Sequence, residues 1–353
     1  MPSSPPIPSY RAIYEDLRDK IIAGDYPPGT RLPSKRSAAA EYGVSVITVE
    51  HAYGLLCDEG YAVSRERSGF FADYRQKDSF PVAEGGSLPL RLPPPESENG
   101  AVFPHSVYAK TVRRALAEYE GILYEKSPPG GLPALKEAIA DYLARSRGIR
   151  VKPQNVVVGA GAEYLYTLIP LILGHGRRFA VESPSYGKIL RVYRASGLDC
   201  EELRLGPNGI DSAELERSRA DVLHITPYRS YPSMVTATAA KRREYVRWAK
   251  ERNGWLIEDD VESEFAPVLR RAETLFSLDP ERVIYLNSFS KTLFPSLRAG
   301  YLALPDALLD AYGEGAGYLS CPVPVLEQCV LCELIVRGDF ERHLNRMRRR
   351  MKK

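Results

Sequence analysis

Apolar side chains at Tyr10, Ile13, Tyr14, Leu17, Ile21 and Ile22 fall at the three-and-four spacing of one helix face and predict a helix over 10–22. Gly24 and the run Pro27-Pro28-Gly29 stop it. Ser34 is placed to cap a short second helix through Tyr42, rich in Ala38, Ala39 and Ala40. Gly43 makes a turn, and Ser45 caps a third helix running to about Glu59, with Val49, Ala52, Tyr53 and Leu56 on its inner face. Gly60 ends that helix. Two β-prone runs follow, Tyr61-Ala62-Val63 and Phe70-Phe71-Ala72, joined by Arg65-Glu66-Arg67-Ser68-Gly69. Three short helices and a hairpin in that order make a winged helix-turn-helix over 1–75.

From 76 to 100 the chain turns polar and rich in Pro and Gly, as in PVAEGGSLPLRLPPPESENG, and no periodicity survives. This reads as a linker, semi-stiff around Pro93-Pro94-Pro95. Beyond it, over 101–353, strand-like runs at 155–159, 178–182, 221–226, 255–258, 283–287 and 299–304 alternate with helical patterns at about 132–146, 162–173, 186–196 and 238–252. That rhythm predicts an α/β domain built on a mostly parallel sheet.

Composition adds limits. With 353 residues, 44% hydrophobic and 26% charged, the chain is long enough for two globular units and has no apolar run that could span a bilayer. The opening MPSSPPIPSYRAIYED lacks a signal-peptide core, so a cytoplasmic protein is expected. Five scattered cysteines make no disulfide framework, and the Cys329/Cys332 pair sits in an apolar, helix-like stretch with no second pair, so core packing is expected there and no metal site. The net charge is +3, yet residues 1–75 carry Arg11, Arg18, Lys20, Arg31, Lys35, Arg36, Arg65, Arg67 and Arg75 against ten Asp and Glu. Bulk charge therefore does not announce nucleic-acid binding, and placement has to. Lys35 and Arg36 begin the second helix beside Ser34, where free amides and cations suit a phosphate. Ser45, Thr48 and His51 fall on the outer face of the third helix, which would enter a major groove. Arg65, Arg67 and Gly69 belong to the hairpin, suited to the DNA backbone or minor groove.

The run from Tyr14 to Ala72 resembles the GntR-type winged helix over its full length, with G-x-x-x-P-G-T-R-L-P-S-K-R as the specific signature. The resemblance implies a partner, double-stranded operator DNA. One departure stands out. The family usually reads Ser-Arg-Asn-Thr-Val at the start of the recognition helix, and this chain reads Ser45-Val46-Ile47-Thr48-Val49, so an Arg that would contact DNA is absent.

The α/β region carries its own chemistry. Lys291 follows the strand-like VIYLN, with Ser288 and Ser290 beside it and Arg298 seven residues on. That places an amine, two hydroxyls and a phosphate-matching fork near the carboxyl edge of a sheet, where α/β ligands bind. Asp259 ends the apolar strand Trp255-Leu256-Ile257 one βαβ step earlier, and Asp260 is expected to face the other way. In VVVGAGAEYLYTL a strand passes through a glycine turn into a helix, so Gly161, Ala162 and Glu163 would offer amides to an anion. Tyr186, after another strand, could cover a flat ring. These residues match the demands of pyridoxal phosphate: a Schiff-base lysine, an anion for the pyridine nitrogen, a stacking ring and a phosphate cup. Taken singly, each also reads as a surface lysine, a strand-end acid, a common turn or a core tyrosine.

The segment S-x-S-K-x-x-x-P-x-x-R-x-G-Y resembles the lysine motif of fold-type I aminotransferases. Residues 129–304 resemble the aminotransferase-like domain of MocR regulators through PGGLPALKEAIADYLARSRG, ESPSYGKI, WLIEDDVESEF and SFSKTLFPSLRAGY. The resemblance implies a homodimeric regulator holding pyridoxal phosphate on Lys291 and sensing an amine, an amino acid or the cofactor itself. Val261 stands where the family commonly has Tyr. Pro227-Tyr228-Arg229-Ser230-Tyr231-Pro232 replaces P-S-H-Q-F-P, leaving one of Tyr228, Arg229 or Tyr231 to fill the gap. The end, HLNRMRRRMKK, reads as the helix leading into the family's small carboxyl-terminal domain, and that domain with its carboxylate-binding Arg is expected to be missing from these residues, the chain being either naturally shortened or a fragment. Two other functions compete: an aminotransferase with an accessory DNA-binding domain, and a winged-helix repressor with a cofactor-free dimerisation domain.

Overall fold

The computed structural model describes residues 8–74, 103–261, 263–265 and 273–350; the expected linker at 76–100 lies outside them. The chain divides into two compact units, Met1–Pro95 and Glu96–Lys353.

In the first unit α1 (Tyr10–Ala23), α2 (Lys35–Tyr42) and α3 (Val46–Asp58) are each opened by a serine. The hydroxyl of Ser9 accepts from the Ala12 amide at 3.3 Å, Ser34 from Ser37 at 3.1 Å and Ser45 from Thr48 at 3.1 Å. Each bond satisfies an amide that the helix start leaves open, contributing about 1 kcal/mol. Gly24 and Gly43 close α1 and α2 in the left-handed conformation. The inner faces meet in one core of Ile13, Leu17, Ile21, Val49, Tyr53 and Leu56. The hairpin pairs β1 (Ala62–Arg65) with β2 (Gly69–Ala72) antiparallel, Ala62 opposite Ala72, one residue later than Tyr61 had predicted. An isolated bridge between Arg31 and Phe71 ties the hairpin to the chain before α2.

The second unit is built on an eight-stranded sheet: β3 (Val156–Gly159), β4 (Phe179–Ser183), β5 (Cys200–Gly206), β6 (Gly209–Ile210), β7 (Val222–Ile225), β8 (Trp255–Asp259), β9 (Val283–Ser288) and β10 (Gly300–Ala303). Their spatial order is β3-β10-β9-β8-β7-β4-β5-β6. The neighbours from β9 through β8, β7 and β4 to β5 are parallel, β10 runs antiparallel to both β3 and β9, and β6 is antiparallel to β5. The sheet is therefore mostly parallel, as expected. The strand β5 went unread because CEELRLG has a half-exposed burial pattern and lacks the continuous apolar run of a strand covered on both faces. The expected helices form at Pro133–Arg147, Ala162–Leu173, Gly187–Ala195 and Ala239–Glu251, and His105–Glu118 is an additional one.

Strand alternation sorts the core into two layers. Leu223, Ile225, Leu256, Val283 and Tyr285 face one layer. Val222, Ile257, Ile284 and Leu286 face the other. The same parity carries His224, Asp259 and Ser288 to the second layer, and Glu258 and Asp260 to the first. Cys329 and Cys332 are buried on the helix Val325–Val336. Among the described residues no helix is long and apolar enough to cross a membrane, and no group of three His, Cys, Asp or Glu side chains is placed to hold a metal ion.

Candidate cofactor site and nucleic-acid interface

Because β3 runs in the same direction as β9, the turns that follow β3, β4, β8 and β9 all open at one edge of the sheet. Gly161 follows β3, Tyr186 follows β4, Asp259 ends β8, and Ser288, Ser290 and Lys291 follow or end β9. The topology thus gathers every expected cofactor residue at the carboxyl edge, the place where open α/β sheets take ligands.

Asp259 is 3% exposed. Its Oδ2 accepts from the Tyr166 hydroxyl at 2.6 Å and lies 3.5 Å from Nε2 of His224. The Tyr193 hydroxyl sits 2.7 Å from Nδ1 of that histidine. Burial, and then the charge of Asp259, push the Tyr166 hydroxyl well above its ordinary range, so it stays a donor. The other carboxylate oxygen, Oδ1, is buried with no hydrogen-bond partner among the described residues. A buried carboxylate oxygen without a donor costs on the order of 1–3 kcal/mol, more when charged, and a pyridinium N–H would satisfy it. Sequence reading missed Tyr166, His224 and Tyr193. The available signal was His224 alone among apolar residues in VLHI, on the same face as Asp259.

Asp260 turns the other way, as expected, into a buried pair with Arg147 at 2.8 Å, and it accepts from the Tyr285 hydroxyl at 2.6 Å. Burial pushes its carboxyl up while Arg147 pulls it back. Glu258 lies on that side too, accepting from the amides of Leu275 and Phe276 at 2.9 Å.

The anion cup is at the start of the helix Ala162–Leu173. Gly161 precedes it with φ 83° and ψ 176°, and no side chain caps its amides. A Cβ on Gly161 would lie 3.0 Å from an Arg298 guanidinium nitrogen, so glycine suits both the backbone turn and the close approach of that guanidinium. The amides of Ala162 and Glu163 therefore open beside a cation. The Glu163 side chain takes a part that had not been expected: it pairs with Lys188 and, at 3.2 Å, with Arg298. Both cations pull its carboxyl below the usual range. Ser288 caps the short turn bearing Lys291, accepting from the Ser290 amide at 3.2 Å and donating to the Ala299 carbonyl at 3.3 Å. The Ser290 hydroxyl is buried without a hydrogen-bond partner among the described residues. Lys291 is exposed. Tyr186 is 37% exposed, with Lys188 Nζ 5.9 Å from its ring centroid, so it is no core tyrosine. Of the three residues left to fill the gap, Tyr228 is fully buried and donates to the Glu273 carbonyl at 2.7 Å, which commits it elsewhere. Tyr231 is exposed, and Val261 packs against the second core layer. The orphaned Asp259 oxygen, the free Ser290 hydroxyl and the glycine cradle under Arg298 fit the ring nitrogen and phosphate of pyridoxal phosphate.

In the winged helix, Ser34 and Ser45 serve as caps, and Thr48 Oγ1 lies 2.8 Å from Ser45 Oγ. Lys35 pairs with Glu50 at 2.6 Å, and Arg36 is exposed. His51 is exposed and stands edge-on to Tyr10, centroids 6.1 Å apart. Arg65 lies over the Phe71 ring at 4.5 Å. Arg67 occupies the hairpin tip at φ 59°, its side chain 92% exposed. Gly69 has φ 105°, with Arg31 Nε 3.3 Å from where a Cβ would stand.

Residues 9–72 match the model of bacterial regulatory proteins of the gntR family, and residues 99–353 match aminotransferase class I and II. The HTH-type transcriptional regulator YdeL of Bacillus subtilis is 30% identical over 98% of this chain and 77% of its own length. The probable rhizopine catabolism regulatory protein MocR of Rhizobium meliloti is 30% identical, covering 97% and 75%. The pyridoxine biosynthesis transcriptional regulator PdxR of Corynebacterium glutamicum is also 30% identical, covering 95% and 74%. Among solved structures, the kynurenine aminotransferase of Pyrococcus horikoshii superposes with a TM-score of 0.64 at 22% identity, over 70% of this chain and 64% of that one. The alpha-aminoadipate aminotransferase LysN of Thermus thermophilus, complexed with N-(5'-phosphopyridoxyl)-L-leucine, gives 0.61 at 29%, over 71% and 66%. The chain thus spans about three quarters of these regulators and just under two thirds of these aminotransferases. It belongs to the GntR family of bacterial regulators, in the MocR branch that joins a winged helix to an aminotransferase class I and II domain.

Proposed function

We propose that this chain is a cytoplasmic transcription regulator that holds pyridoxal phosphate at the carboxyl edge of its sheet and alters its grip on operator DNA when an amine or amino acid engages that site. The observation that carries the reading is the buried Oδ1 of Asp259 at the end of β8, which has no hydrogen-bond partner among the described residues. When bound, the cofactor supplies an amine-reactive aldehyde and an electron-withdrawing ring. Asp259 would keep a proton on the ring nitrogen, with Tyr166 fixing the carboxylate through its other oxygen. Lys291 would offer the amine that bonds the aldehyde carbon, and Tyr186 would cover the ring. The amides of Gly161, Ala162 and Glu163, with Ser288, Ser290 and Arg298, would hold the phosphate.

On the DNA side, Lys35, Arg36, Arg65 and Arg67 would take phosphates, with Ser34 and Gly69 shaping the backbone beneath them. The start of α3, with Ser45, Thr48 and His51, would face base edges. A homodimer joined through 101–353 would present two winged helices to two half-sites, making the second contact intramolecular.

The test joins a visible absorption spectrum of the purified protein with gel-shift titrations on genomic fragments, at several salt concentrations and with candidate amines. Expected are a visible cofactor band that disappears on borohydride treatment and is lost in Lys291→Ala, fragment preference, and an amine-dependent change in affinity. Absence of fragment preference at every salt, with and without cofactor, overturns the regulator reading. Persistence of the band in Lys291→Ala removes that lysine from its role.

A further inference from the structure

The recognition helix α3 contains Glu50, Asp58 and His51 and neither Lys nor Arg. Three of its polar groups make contacts inside the domain: Glu50 with Lys35, His51 against Tyr10, and the Thr48 hydroxyl with the Ser45 cap. Two side chains of the first turn are not so engaged. Val46 is 40% exposed, and Ile47, at 65%, is the most exposed large apolar residue among the described residues of this unit. Both are β-branched, which helices disfavour, and at this exposure neither gains much packing in return.

First-turn residues of this helix are the ones that reach base edges in a helix-turn-helix complex. In the major groove a bidentate Arg selects guanine, whereas an apolar side chain finds one matching group, the 5-methyl of thymine. The cations beside the helix fit that setting. Lys35 and Arg36 start α2, and Arg65 and Arg67 lie on the hairpin, so the elements that pack on α3 carry cations suited to phosphates. That charge commits the exposed pair to duplex DNA and not to a protein partner.

We infer that Ile47, with Val46 beside it, selects operator sequence by packing on thymine 5-methyl groups in the major groove. This rests on the regulator reading above and supplies the base readout that the missing Arg leaves open. Each thymine methyl covered removes about one buried carbon from water, roughly fourfold in affinity.

The experiment uses the full chain. Its preferred duplex is selected from random sequence, each thymine is then replaced in turn by deoxyuridine, and binding is read by fluorescence anisotropy. Uracil keeps every hydrogen-bonding group and lacks only the methyl. The expected result is a roughly fourfold loss at one or two positions in each half-site. That loss should vanish in Ile47→Ala, persist in part in Ile47→Val, and leave the salt dependence unchanged. Both variants change an exposed side chain, and thermal unfolding checks that they fold. Selective binding that is indifferent to uracil at every position overturns the methyl readout and leaves the regulator reading standing. Failure to select any duplex overturns both. Ile47→Ala that disrupts self-association while binding the selected duplex normally assigns the pair to a protein contact, and also overturns the inference.

Discussion

Replacing Gly161 by Ala puts the phosphate cup to a quantitative test. The backbone there, at φ 83° and ψ 176°, is essentially reserved for glycine, and forcing an L-residue into it costs on the order of 1–3 kcal/mol. The new Cβ would stand 3.0 Å from an Arg298 nitrogen and 3.2 Å from the guanidinium carbon. If the backbone holds, the guanidinium must shift by a few tenths of an ångström. If the turn relaxes instead, the Ala162 and Glu163 amides swing away. A shift that breaks one hydrogen bond to the charged phosphate is worth about 1.5–3 kcal/mol, or roughly a 10- to 150-fold loss of affinity, and that is the expected size of the effect. Titration of the variant with pyridoxal phosphate, followed by absorbance, reads that loss, and denaturant unfolding without added cofactor reads the strain. Gly121→Ala is the control, since nothing lies within 4 Å of its Cβ and its φ is ordinary. A folded Gly161→Ala protein that binds the cofactor within twofold of the parent would refute this placement of the phosphate.

Asp259→Ala should keep part of its cofactor affinity through the phosphate contacts and lose its parent-like reaction with amines; parent-like amine reactivity would mean that another group holds the ring nitrogen. Arg36→Ala and Arg67→Ala should each weaken DNA binding on all sequences alike and lower the salt slope by about one, as lost phosphate contacts do; an effect confined to particular bases in gel-shift titration would contradict this. Burial pushes the Glu182 carboxyl from 4.5 up to about 8, so the folded chain keeps a proton that the unfolded chain releases. Its stabilising contribution is therefore complete below about pH 4.5, declines as pH rises and is gone above about 8. Glu182→Gln should flatten the fall in melting temperature between pH 5 and 8, and an unchanged slope would exclude Glu182 as its source.

Much of the molecule was legible in the chain because its signals are local. Serines at helix starts, glycines at their ends and an apolar face of period 3.6 specify α1 to α3, whatever the rest of the chain does. The buried parallel strands announce themselves as short apolar runs, and parity along β8 already separates Asp259 from Asp260. The lysine, acid and glycine turn are proposed from the sequence because each stands at the end of a strand-like run, Lys291 within a motif that resembles the aminotransferase lysine motif.

Tertiary structure decided whatever depends on partners distant in sequence. That Asp259 leans on Tyr166 and His224, while Asp260 is held by Arg147 and Tyr285, follows from contacts spanning up to 113 positions. No local pattern encodes such pairings. The same holds for the Glu163–Arg298 pair, 135 positions apart, and for β5, whose mixed composition becomes a strand only because β4 offers it a parallel edge. It holds also for Ile47, apolar by sequence and left in water by the packing of α3. Periodicity reports which face of an element is apolar, and only the assembled fold settles which of its remaining groups find partners and which are left open to a ligand.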